Sequence, residues 1–293
     1  MRGVDGFTID EDFVRALVRE QHPDLAELSL REVDGGWDNR LWRLGEELAV
    51  RIPLTPRAPS LLRNEYRWLP VLASRLPLPV PAPVRIGEPS ARFPRPWTIA
   101  AWVPGEPADR TPIARADHAA DGLARFLRAL HQDAPADAPA GAIRGVPLNT
   151  LTLDPDERFR AADRARQVWD EAVSAPEWQG RPVWLHGDLH PANVVVADGT
   201  LAGVLDFGDM CAGDPATDLS AAWVLLPEGA AGRFLTAYGD VDEATIRRAK
   251  GWAVLRGMGL IDIGRAGELG QPGGKVTWGP AGRAAIDRVL ASA

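Results

Sequence analysis

The sequence predicts an α+β chain of two lobes: a smaller lobe of antiparallel strands with one helix over residues 1–103, and a mostly helical larger lobe over 104–293. Three observations predict it. Short apolar runs with strand character crowd the region before residue 103, helix-period patterns dominate residues 104–293, and elements segregated in this way give α+β layering. Pro104-Gly105 ends the last of the early strands and falls between the two patterns. At 293 residues, with 45% hydrophobic and 25% charged residues, the chain has ordinary globular composition and enough length for a sizeable core.

Residues 10–20 read as a helix capped by Thr8 or Asp10, with Phe13, Val14 and Leu17 toward one face, packed outside the first lobe. Strands follow over 28–33 and 40–44, joined by the turn Asp34-Gly35-Gly36-Trp37-Asp38-Asn39, and a third covers 47–52. A helix is expected over 61–76, then the proline-rich stretch 77–83, then strands over 84–88 and 97–103. In the larger lobe, Leu123, Phe126, Leu127 and Leu130 mark one face of a helix over 117–132 that His131 ends in a structural role. Residues 133–149, rich in Ala, Pro and Gly, read as a loop, and 156–174 as one helix with a charged face. Val183-Trp184-Leu185 is a strand, and Asp198-Gly199 between the apolar runs 194–196 and 201–205 is a hairpin signal. Asp214 before Pro215 reads as a helix cap with proline at the first helical position, the helix running through 226, and further helices are expected over 232–238, 243–262 and 281–291.

The chemistry sits between those strands. His186-Gly187-Asp188-Leu189-His190-Pro191-Ala192-Asn193 reads H-x-D-x-x-x-x-N, and Asp206-Phe207-Gly208 follows after the hairpin. That order matches the catalytic-loop and metal-loop signatures of kinase-type phosphoryl transfer. Such transfer is mostly positioning and electrostatics: a carboxylate, here Asp188, accepts the hydroxyl proton. Mg²⁺ bridges phosphate oxygens and prefers hard oxygen ligands, which Asn193 and Asp206 offer. The hairpin would fold those two residues back toward each other. The plain alternative is a hairpin whose flanking Asp and Asn only satisfy turn backbone. His186 and His190 read as loop-packing residues, because no further His or Cys pattern completes a transition-metal set.

With Gly213-Asp214-Pro215-Ala216-Thr217-Asp218-Leu219, these motifs resemble the aminoglycoside phosphotransferase family, small-molecule kinases related to choline and macrolide kinases. The resemblance covers the chain from about Val33 to the C-terminal helices and implies a protein-kinase-like fold with the nucleotide in the cleft between lobes. It implies that Gly35, Gly36, Trp37, Asp38 and Asn39 form the nucleotide-covering turn, which alone would be an ordinary hairpin. It places Arg51 where the family's phosphate-binding lysine stands. Arginine keeps its charge but is not interchangeable with lysine, and the other reading is a surface arginine on an edge strand. Glu65 falls at the position of the ion-pair glutamate and would hold Arg51, or would be a solvated helix residue. Backbone at Ala101, Trp102 and Val103 would meet the purine of ATP or GTP. Asp218 would brace the catalytic loop. The C-terminal helices would form the acceptor pocket. Glu228, Asp240, Asp242, Glu243, Asp262 and Glu268 could gather near Asp188 for a polyamine; Trp223, Trp252 and Trp278 could wall a macrolide-like ligand or belong to the core.

A net charge of −7 disfavours general nucleic-acid binding. No apolar run reaches the length of a membrane span, and Met1–Gly6 lacks the apolar core of a signal peptide, so the expected setting is cytoplasmic. The single cysteine, Cys211, reads as a packed small residue. Of 33 basic residues only Lys250 and Lys275 are lysine. The expected partners are a nucleoside triphosphate and a hydroxylated small molecule, with no obligate protein partner. The first acceptor to consider is an aminoglycoside, by resemblance; a macrolide or a metabolite such as a sugar or amino alcohol is the alternative. A non-catalytic nucleotide-binding protein of the same fold is the rival class.

Overall fold

In the computed structural model, which describes residues 7–33, 36–160 and 162–292, the early strands form one five-stranded sheet of order β1-β2-β3-β5-β4. Helix α1 (Glu11–Gln21) precedes it, and Asp10 caps the helix by accepting from the Phe13 N–H at 2.9 Å. The strands are β1 (Leu30–Val33), β2 (Asn39–Leu44) and β3 (Leu48–Pro53). Helix α2 (Ala58–Ala73) and strands β4 (Pro83–Gly87) and β5 (Trp97–Ala101) complete the unit. Every strand pair is antiparallel. Helix α1 is part of the core and not an outlying element. Val14, Leu17 and Val18 are buried in one cluster with Trp42, Leu44, Val50, Ile52, Phe93, Trp97 and Ile99. Helix α2 starts three residues before the expected 61 because Pro59, in its first turn, needs no N–H partner there.

The second unit opens with β6 (Glu106–Pro107) and α3 (Ala116–Leu130). The expected helix over 156–174 is two helices, α4 (Pro155–Arg158) and α5 (Asp163–Ser174). The break is dictated by packing. Phe159 and Trp169 stack with ring centroids 5.7 Å apart, whereas ten residues of continuous helix would separate them by about 15 Å along the axis. Strand β7 (Val183–Leu185), the hairpin β8 (Val194–Ala197) and β9 (Thr200–Val204), and β10 (Cys211–Gly213) follow. Asp198 at φ 50° and Gly199 at φ 74° make the tight two-residue turn that Asp-Gly favours. Strands β6, β8 and β9 form one small sheet and β10 with β7 another.

The remaining helices are α6 (Ala216–Leu219), α7 (Ala221–Val224), α8 (Ala230–Tyr238), α9 (Glu243–Glu268) and α10 (Trp278–Ala291). The helix expected through 226 breaks at Ser220, whose hydroxyl donates to Thr217 O at 2.6 Å. Helices α9 and α10 pack backbone to backbone: a Cβ on Gly282 would stand 2.4 Å from Gly257 O. That approach fixes the middle of α9, where Arg256 lies.

The chain divides into two compact units, Met1–Ser74 with Val80–Val103, and Arg75–Pro79 with Pro104–Ala293. Arg75–Pro79 belongs with the second unit, where Pro79 O accepts from the Val204 N–H at 3.0 Å. Among the described residues no helix is long and apolar enough to cross a membrane.

Candidate active site

The loop from His186 to Asn193 leaves β7 at Leu185 and is held from beneath by Asp218 of α6. Asp218 is fully buried. Its Oδ2 accepts from the His186 N–H at 2.6 Å and its Oδ1 from the Gly187 N–H at 2.9 Å. His131 Nε2 lies 3.3 Å from Oδ2, and His131 Nδ1 is 2.8 Å from the Tyr238 hydroxyl. Burial alone would raise the Asp218 carboxyl. His131, His186 and the Gly187 N–H more than offset it and hold the group below the usual carboxylate range. Gly187 adopts φ +81°, and a Cβ there would meet Asp209 O at 2.6 Å, so glycine is required. Both loop histidines are engaged. His186 Nε2 donates to Leu205 O at 2.8 Å and its Nδ1 accepts from the Asp188 N–H at 3.1 Å. His190 Nδ1 accepts from the Ala192 N–H at 3.3 Å, and its ring meets Trp278 at 4.6 Å.

Asp188 is bound through its two oxygens differently. Oδ1 accepts from Arg144 Nη2 at 2.9 Å and from Arg256 Nη1. Among the described residues the neighbours of Oδ2 are more distant, Asn193 Nδ2 at 3.3 Å and His190 Nε2 at 3.6 Å. Arg256 Nη2 also donates to Gly187 O at 2.9 Å, and Asn193 Nδ2 donates to Asp188 O at 2.9 Å. Burial pushes the Asp188 carboxyl up. Arg256, then His190 and Arg144, overcome it and hold the group well below the usual range. Asp188 is therefore a carboxylate, with Oδ2 the less tightly held of its two oxygens.

Asn193 and Asp206 are drawn together as the hairpin signal implied. Val194 pairs with Val204, and the Leu205 N–H donates to Asn193 O at 2.8 Å. Asp206 is exposed and left-handed, at φ 59° and ψ 71°, an unusual backbone for a residue other than glycine. With Asn193 Nδ2 committed to Asp188, its amide oxygen is the donor left for a cation. One amide oxygen and one exposed carboxylate are hard donors that fit Mg²⁺, which takes the rest of its shell from phosphates and water. Among the described residues no group of three or more His, Cys, Asp or Glu gathers to hold a metal.

In the first unit, Gly35 lies outside the described residues. Gly36 and Trp37 lead to Asp38, which bonds to Thr55 and pairs with Arg57 at 2.7 Å. Burial raises the Asp38 carboxyl, but Arg57, Thr55 and Arg51 together lower it. Asp38 thus ties the turn to the start of α2, and Asn39 opens β2. Arg51 is buried on β3, which lies between β2 and β5, so it is no surface arginine on an edge strand. Its Nη1 donates to the carboxylate of Glu65, which is 0% exposed and is not a solvated helix residue. At the end of β5 the N–H groups of Ala101 and Trp102 are taken by Ala82 O at 2.9 Å and Glu47 O at 2.7 Å. The Val103 N–H has no backbone partner among the described residues.

Arg144 and Arg256 are site residues that the sequence did not disclose. Arg144 comes from the loop over 133–149, which is pinned along β10: Ala212 N–H donates to Pro139 O at 2.8 Å and Asp214 N–H to Gly145 O at 3.0 Å. Arg256 comes from the middle of α9, and nothing in its local pattern separates it from a surface arginine. Three of the six anticipated acids are employed elsewhere. Asp262 pairs with Arg158, Glu243 with Arg247 at 2.7 Å, and Asp242 caps α9 at the Thr245 N–H, 2.7 Å. Trp223 and Trp252 are core residues, while Trp278 stays partly exposed beside His190. Cys211 is buried, and burial pushes its thiol up to about 12, which leaves no nucleophile there.

A small antiparallel-sheet unit and a helical unit carrying this loop and hairpin define a kinase-like phosphotransferase fold. The profile of the phosphotransferase enzyme family matches residues 29–257, and the chain belongs to that family. Solved structures of the same fold include the GDP complex of aminoglycoside 2'-phosphotransferase-IIIa. It is 19% identical, with a TM-score of 0.69 over 97% of this chain and 99% of that one. The apoenzyme of a macrolide 2'-phosphotransferase from Brachybacterium faecium is 22% identical, with a TM-score of 0.64 over 95% and 98%. A ternary complex of streptomycin, ATP and APH(2")-IIa is 17% identical, with a TM-score of 0.60 over 87% and 90%. No curated protein matches the chain.

Proposed function

We propose that the protein transfers the γ-phosphate of ATP or GTP, with Mg²⁺, to a hydroxyl of a small molecule. The observation that carries the reading is the joint placement of Asp188, Asn193 and Asp206, with Asp188 Oδ1 taken by two arginines and Oδ2 held only by longer contacts among the described residues. In this reading residues 1–103 bind the nucleotide and 104–293 supply the base, the metal ligands and the acceptor pocket. Arg51, fixed by Glu65, grips phosphate, and Gly35, Gly36, Trp37, Asp38 and Asn39 are the candidate nucleotide-covering residues. At Ala101 to Val103 the base-facing donor is the Val103 N–H.

The acceptor hydroxyl donates to Asp188 Oδ2. The bond from the γ-phosphorus to its bridging oxygen breaks, a bond to the acceptor oxygen forms, the hydroxyl proton passes to Asp188, and the nucleoside diphosphate departs. Asn193 Nδ2 keeps Asp188 oriented, and Asp218 keeps the loop backbone in place. The amide oxygen of Asn193 and the carboxylate of Asp206 would hold Mg²⁺. That ion, when bound, supplies neutralisation of charge developing on the phosphoryl oxygens. A reducing cytoplasmic setting suits the lone buried Cys211.

Aminoglycosides and macrolides, the subjects of the related structures, are the first acceptors to assay, with sugars and amino alcohols beside them. The test is nucleotide consumption with Mg²⁺, ATP and GTP in parallel across that panel, each acceptor checked by mass spectrometry for an added phosphate. A phosphorylated acceptor is the expected result. Nucleotide binding with no phosphorylated product from any class would favour the non-catalytic rival.

A further inference from the structure

The carboxylate that receives the acceptor hydroxyl stands among cations. Arg144 and Arg256 both donate to Asp188 Oδ1, and His190 Nε2 is 3.6 Å from Oδ2. The Asp218 carboxylate also acts on Arg256 but is fully buried beneath the loop, and two guanidiniums pair with the one carboxylate of Asp188. Their N–H donors also outnumber the lone pairs that one carboxylate can offer. Nε of Arg144 and Nε of Arg256 are both buried and without a hydrogen-bond partner among the described residues. Arg256 is sealed, its side chain 6% exposed, whereas Arg144 at 27% and Asp188 at 21% can be reached from solvent. A polycation would meet these arginines, and three of the six acids considered for it, Asp242, Glu243 and Asp262, are already paired or capping a helix.

We propose that the acceptor is a small alcohol carrying an anionic group, a carboxylate or a phosphate, within a few bonds of the reacting hydroxyl. Arg144, backed by Arg256, binds that group. The inference rests on the phosphotransferase reading and narrows its substrate. Arg144 donates to Oδ1 and the hydroxyl reaches Oδ2 of the same carboxylate, so anion and hydroxyl must lie close together on the acceptor. Arginine's planar fork suits bidentate recognition of either anion.

The experiment compares kcat/KM for matched alcohols: hydroxy acids and sugar acids, sugar monophosphates, their neutral parent sugars and amides, and polycationic amino sugars. The expected result is a preference on the order of 10- to 100-fold for an anionic member over its neutral parent. In Arg144→Gln that preference collapses through the acceptor KM, with nucleotide KM unchanged, while Arg144→Lys retains part of it. The carboxylate and phosphate arms identify which anion is used. Phosphorylation only of neutral or cationic acceptors would overturn this inference and leave the phosphotransferase reading standing. No phosphorylated product in any arm would overturn both.

Discussion

Asp188 keeps its charge against burial because Arg256, His190 and Arg144 together outweigh the desolvation. A carboxylate held in this way is a weak base. The loose transition state of phosphoryl transfer tolerates that, since little proton removal is needed before the leaving bond has largely broken. Its folded-state pKa is depressed, so the carboxylate is ionised above the ordinary range of about 3.9 and is neutralised only as pH falls below it. The pH profile of kcat/KM should therefore have no carboxylate limb between about pH 5 and 7. An acid limb there, with the near-zero ionisation enthalpy of a carboxyl, would contradict the assignment. Arg51 and Glu65 form a further charged pair, and both are buried. Glu65→Gln should cost about 3–5 kcal/mol in chemical denaturation, because it removes the buried counter-charge of the Arg51 guanidinium, and should raise the nucleotide KM. Asp188, Asn193 and Asp206 were legible because their spacing is local. The arginines were not, since they reach Asp188 from 44 and 68 residues away.

At the level of elements, the catalytic loop is a backbone construction. Gly187→Ala should destabilise by roughly 1–2 kcal/mol through its positive φ. The contact with Asp209 O would also shift the loop, lowering kcat by about 10²-fold. Parallel kcat and denaturation measurements separate the two effects. Asp218→Asn keeps one acceptor oxygen where Asp218 serves both the His186 and Gly187 N–H groups. It should lose about 1–3 kcal/mol at neutral pH. Because the folded pKa of Asp218 lies below its unfolded value, its stabilisation is complete above the ordinary carboxylate range and is lost as pH falls through the folded value. Urea unfolding across that acid range should thus be flatter for Asp218→Asn than for wild type. The hairpin was readable because Asp-Gly sets its own turn. The break between α4 and α5 was not, because it comes from Phe159 packing on Trp169 and not from any local breaker.

For the whole molecule, charge acts on two scales. The net charge of −7 disfavours an extended polyanion, while the local pair of guanidiniums at Asp188 can grip a single anionic group. The order of strands before helices disclosed the α+β architecture. The grouping of Arg75–Pro79 with the second unit was not legible, since Pro79 O meets the N–H of distant Val204 and no local pattern marks that bond. The measurement that reaches furthest is single-turnover transfer of labelled γ-phosphate in wild type and in Asp188→Asn, with nucleotide affinity measured alongside. The expected result is a fall on the order of 10²–10⁴ in transfer rate with nucleotide affinity little changed. Equal transfer rates in the two proteins would remove Asp188 from the chemistry and contradict the proposed site.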